Sequence, residues 1–90
     1  MMKSIAAAAI VALALAPEAG ADTQYLFCLH KQGIHFGNGP DTETAVGHSV
    51  WTSIEFGKET RMQAIYELMR EGADSNTAAI IMGCAVAYQP

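Results

Sequence analysis

An uninterrupted apolar run from Ile5 to Ala16, built only of Ala, Ile, Val and Leu, follows a short positive start at Met1, Met2 and Lys3. Pro17 and Glu18 break it, and the small residues Ala19-Gly20-Ala21 stand immediately before Asp22. This is the order of a secretory signal peptide: charged start, apolar centre, small-residue cleavage site. The run holds twelve residues, too few for a spanning helix, which needs about 20. The reading constrains everything downstream. Residues 1–21 are expected to be removed, and a domain of the 69 residues 22–90 must fold outside the reducing cytosol, secreted or in the cell envelope. Phe27 before Cys28 argues against lipid attachment, which needs a small residue there.

A domain this short buries a smaller share of its surface than a larger one, so its core alone is marginal. Its net charge is −4, with four basic residues (Lys31, Lys58, Arg61, Arg70) against eight acidic ones. No basic patch exists to drive nucleic-acid binding, and anionic membrane surfaces are disfavoured for the same reason. The remaining apolar stretch, Ala78 to Tyr88, is too short to cross a bilayer.

Cys28 and Cys84 are the two cysteines of the chain. In an exported protein an even pair reads first as a disulfide; two free thiols or an intermolecular bridge are the alternatives.

Four segments separate at turn signals. The first, Asp22 to Gln32, sets Tyr25, Cys28, Leu29 and Gln32 at helical spacing. Asp22 or Thr23 can cap it, and Gly33 ends it, with Ile34 placed to fold back on the helix. The loop His35-Phe36-Gly37-Asn38-Gly39-Pro40 interrupts helix. Its Gly-x-Gly is a turn signal rather than a phosphate loop, lacking the preceding strand, third glycine and Lys of such a motif. A second helix is predicted over Asp41 to Phe56, with Asp41 as N-cap, Glu43 favourably placed in the first turn, and Val46, Val50 and Ile54 as its apolar line. Ser49 to Ile54 taken alone has strand propensity. A third helix, Thr60 to Glu71, opens with capping-box spacing at Thr60 and Gln63. Met62, Ile65, Tyr66 and Met69 are its expected core stripe. The fourth segment, from Asp74 or Ser75 to Tyr88, has no polar face beyond its cap region and is expected to be surrounded by neighbours. Length and alanine content favour helix there over a buried strand at Ile80 to Tyr88.

These landmarks resemble a family of small secreted actinobacterial, mostly mycobacterial, proteins known as domain of unknown function 732. The first is an Asp-led helix of the type D-x-x-[FY]-L-x-x-L-x-x-x-G-I, here Asp22 to Ile34 with Tyr25, Leu26, Leu29, Gly33 and Ile34 at the motif positions. The second, G-x-x-V-C-x-x-[LI]-x-x-G, is Gly47 to Gly57 with Val50 and Ile54 in place. The family closes an alanine-rich helix on A-Y-C-P, here Ala87-Tyr88-Gln89-Pro90. The resemblance covers essentially the whole mature chain. It implies an all-α fold and no assigned activity. Trp51 and Gln89 stand where the family has its two cysteines, which suggests that Cys28 and Cys84 are a relocated staple. Trp51 then either fills the space of the lost bridge or lies exposed as a binding anchor.

Candidate chemistry is sparse. His30, His35 and His48 are the only imidazoles. His30 and His35 straddle Gly33, and His48 lies on a different helix, so no metal site is expected despite Cys28 and Asp41 nearby; zinc requires three or four converging ligands. Cys28 with His30 or His48 would make a thiol enzyme, but pairing with Cys84 accounts better for the cysteine. Absence of C-x-x-C disfavours thioredoxin-like redox work. Ser49, Ser53 and Ser75 lack a nucleophile elbow, and Glu55, Glu59, Glu67 and Glu71 read as surface or capping carboxylates rather than a glycosidase pair.

The sequence therefore predicts a compact all-α bundle of about four short helices, stapled by Cys28–Cys84. It is expected to be a non-enzymatic binding or effector protein without cofactor, open to an unidentified protein partner, with no nucleic acid and, after signal cleavage, no membrane. A small-ligand or metal carrier and a thiol-dependent enzyme are the alternative functions.

Overall fold

The computed structural model describes residues 20–90; apart from Gly20 and Ala21, the predicted signal segment lies outside them. Four helices follow in order: α1 (Ala21–His30), α2 (Pro40–Glu55), α3 (Arg61–Arg70) and α4 (Ser75–Tyr88). Both segments with a competing strand reading are helical. α4 packs against all three others, while α2 lies between α1 and α3. The core is accordingly built around α4, where Ala78, Ile81, Cys84 and Ala85 are buried. Tyr25 and Leu29 of α1, Val50 of α2, and Ala64 and Leu68 of α3 complete it.

Local chemistry sets most of the boundaries. Thr60 Oγ1 accepts from the Gln63 N–H at 3.1 Å while the Thr60 N–H donates to Gln63 Oε1 at 2.7 Å, forming the expected reciprocal cap on α3. Asp74 caps α4 by accepting the Thr77 N–H at 2.8 Å. That hydrogen bond to the ionised form holds the exposed Asp74 carboxyl below its ordinary range. α1 ends in a Schellman turn: the Ile34 N–H reaches Leu29 O and the Gly33 N–H reaches His30 O, with Gly33 at φ 78°.

Two helix starts differ from expectation. Gly20, not Asp22 or Thr23, occupies the N-cap position of α1, and Asp22 lies in the first turn. Gly39 precedes α2 and Pro40 takes its first helical position, so Asp41 is inside the helix rather than capping it. Proline suits that position because its missing N–H would have had no intrahelical partner.

Two side-chain orientations also differ. On α3, Ala64 and Leu68 face the core, whereas Met62, Tyr66 and Met69 are 55, 59 and 39 % exposed. A ten-residue helix resting mainly on α4 has only a narrow stripe to bury, and the small Ala64 lets the helices approach closely. On α4, Ala79, Gly83 and Ala87 are exposed, so this helix is not enclosed on all sides. Exposing alanine and glycine sacrifices little apolar area, so the arrangement costs little.

Candidate functional site

The sequence between α1 and α2 determines what meets at their junction. The Gly33 turn reverses the chain after His30, and the short 31–39 connection carries His35 back over it. The two imidazoles stack with ring centroids 4.4 Å apart and planes 20° apart. One turn into α2, Glu43 points to the same place. Its residue is only 1 % exposed, the sole buried charged residue among the described ones.

Glu43 is fixed from three sides. His30 Nε2 donates to Oε1 at 2.7 Å, and the Phe36 N–H donates to Oε2 at 3.0 Å. The Tyr25 hydroxyl donates to the Glu43 backbone carbonyl at 2.8 Å. Tyr25 itself is fully buried, with its ring against Gly47. A Cβ on Gly47 would lie 2.8 Å from both Cε atoms of that ring and closer still to Cζ, so only glycine leaves room for it. Burial, and then the nearby Glu43 charge, push the Tyr25 phenol well above its ordinary pKa. A buried hydrogen-bonded unit of Tyr25, His30, Phe36 and Glu43 therefore joins α1, the connection and α2.

One donor atom each from His30, His35 and Glu43 lie within 4.8 Å of one another. The three line a hollow of about 270 Å³ with Phe36, Gly37 and Pro40. The expectation that His30 and His35 would not converge is thus corrected. They are five positions apart, but the left-handed Gly33 turn brings them together. The carboxylate beside them is Glu43 rather than Asp41, although its place in the first turn of α2 points only to the helix dipole. Capping-type placement at the start of α2 was the only signal for Glu43, and it did not indicate burial.

The other expected residues lie elsewhere. Cys28 and Cys84 form a disulfide between α1 and α4, with Cα atoms 5.9 Å apart. Neither is a free thiol, so a nucleophilic Cys28 has no sulfur to use in this state. Trp51 is half-buried against the core, and its indole N–H donates to the Pro90 carbonyl. His48 Nδ1 donates to the same oxygen at 2.9 Å and meets the Trp51 ring edge-to-face. Trp51 thus ties the end of the described chain to α2. Glu67 pairs with Arg70 at 2.7 Å on the surface, as a helix-surface carboxylate should. No helix among the described residues is long and apolar enough to cross a membrane.

No family model, curated protein or solved structure matches the chain.

Proposed function

We propose that this chain is an exported, non-enzymatic binding protein, secreted or retained in the cell envelope, that engages a protein partner through the outward face of α3. The observation carrying this reading is the stripe Met62, Tyr66 and Met69, which the packing leaves exposed. Positions i, i+4 and i+7 share one helix face, so the three present one apolar surface. Methionine is unbranched and polarizable, suited to adapting to a partner's contour, and tyrosine adds a rigid amphipathic anchor. The Cys28–Cys84 bond fits an oxidising compartment. Kinship with the domain of unknown function 732 proteins, resting on the motifs quoted above, belongs to the same proposal.

A photo-crosslinking residue at position 66, compared with one at position 27, tests the reading in producing cells. Phe27 is an equally exposed aromatic on α1, a helix that does not touch α3. A discrete adduct from position 66 alone is expected. Equal labelling from both positions, or none from 66, would reject the α3 face.

A small-ligand carrier is the second reading, favoured by one feature. An open groove of about 510 Å³ runs between α2 and α3 over Val46, Val50, Ala64 and Leu68. Asp41, Glu59, Glu67 and Glu71 also line it, so a cationic amphiphile would suit it better than an anionic one.

A further inference from the structure

We propose that His30, His35 and Glu43 form a three-ligand site for a divalent transition metal of the zinc, nickel and copper(II) class. The site is separate from the α3 face and independent of partner binding.

The donor set selects the class. Two imidazole nitrogens and one carboxylate oxygen suit borderline ions, whereas magnesium and calcium prefer all-oxygen shells. Soft copper(I) prefers thiolate or thioether ligands, and both cysteines are committed to the disulfide. The number of ligands agrees as well: three protein donors with one position open to solvent is a common arrangement at non-structural zinc sites. Here the open side is the hollow walled by Phe36, Gly37 and Pro40.

His30 and Glu43 stand close to ligating positions, whereas His35 must turn out of its stack on His30, because two nearly parallel stacked rings cannot both aim in-plane lone pairs at one ion. Tetrahedral zinc with bonds near 2.0–2.1 Å places its ligand atoms about 3.3 Å apart. His30 Nε2 and Glu43 Oε1 are already 2.7 Å apart, and all three donors lie within 4.8 Å. His35 is exposed, with room to turn its ring inward. The metal takes the place of the proton between His30 Nε2 and Glu43 Oε1. The Phe36 N–H keeps Oε2 oriented while Oε1 binds, the usual outer support for a ligating carboxylate.

His35 separates this site from a purely structural tie. Joining α1 to α2 uses His30, Phe36 and Glu43, whose hydrogen bonds are complete without His35. His35 is nevertheless stacked on His30, with a ring nitrogen within 4.8 Å of the other two donor atoms.

The test uses untagged protein with the disulfide intact, titrated calorimetrically with Zn²⁺, Ni²⁺, Cu²⁺ and Mg²⁺. One equivalent of a transition ion should bind and Mg²⁺ should not. Removing even an outer hydrogen-bond partner costs about 10–100-fold in metal affinity, so His35→Ala should weaken binding at least about tenfold. The exposed position lets that variant keep its metal-free melting temperature, and His48→Ala should bind like the parent. Copper(II) electron paramagnetic resonance should show two imidazole nitrogens in the parent and one in His35→Ala. Absence of saturable binding by all three transition ions, equal uptake of Mg²⁺, or affinity unchanged in His35→Ala would each overturn the site.

Discussion

Reducing the Cys28–Cys84 bond should unfold or severely loosen the domain. The bond joins positions 56 residues apart. In the chain-entropy account, closing a loop of that length restricts the unfolded chain by about 4 kcal/mol. The core it supplements is small: nine buried apolar residues among the described ones, of which Ala64, Ala78 and Ala85 contribute single methyl groups. Domains of this size draw only about 3–5 kcal/mol from their core, so loss of the bond removes about half of the margin. Unfolding entropy near 2.1 cal/mol/K per residue amounts to about 0.15 kcal/mol/K for about 70 residues, so 4 kcal/mol corresponds to a fall in Tm of roughly 25–30 °C. Reduction leaves both sulfur atoms in place, which separates the effect of the cross-link from that of a cavity at Cys84. Circular dichroism melts with and without a phosphine reductant, with thiol titration to confirm complete reduction, measure the shift. A fully reduced protein melting within about 5 °C of the oxidised one would refute the reasoning and locate the stability in packing alone.

Gly47→Ala should destabilise by about 1–3 kcal/mol through overpacking against Tyr25, although alanine is the better helix former by about 1 kcal/mol; urea unfolding decides, and a stabilised variant would show that the ring moves aside freely. The folded-state pKa of Tyr25 is raised, so its contribution is complete below the ordinary tyrosine value near 10 and is lost as pH rises beyond it. Absorbance titration should therefore show Tyr25 ionising only as the domain unfolds, and stability should decline above about pH 10. Thr60→Ala should cost about 1 kcal/mol through loss of the α3 cap, seen as a lower urea midpoint with an unchanged slope. Protonating Asp74 removes the charge its lowered pKa favours, so its contribution is present above the ordinary carboxylate range and lost as pH falls through the folded-state value; Asp74→Asn should flatten the acid limb of the stability profile.

Features determined by neighbours along the chain were legible without a structure. Four helices, the Thr60–Gln63 and Asp74 caps, and the Gly33 turn with Ile34 folded back all follow from residues within a few positions of one another. Their hydrogen bonds are local, and the side chains that form them are chemically specific. The Cys28–Cys84 pairing was also legible, because the chain has no other cysteines. What only the tertiary structure decided is rotation and depth. Around α3 the apolar residues Met62, Ala64, Ile65, Tyr66, Leu68 and Met69 cover too much of a ten-residue helix for periodicity to select one face. Contact with α4 selected the side where Ala64 permits close approach, leaving Met62, Tyr66 and Met69 exposed. Likewise, nothing in Pro40-Asp41-Thr42-Glu43 indicates that the last carboxylate is buried. Its burial depends on Tyr25 seating against Gly47, 22 positions away, and on His30 and the Phe36 N–H arriving from another element. A carboxylate can be buried there because those donors replace its water, and donors brought together by folding leave no local pattern in the chain.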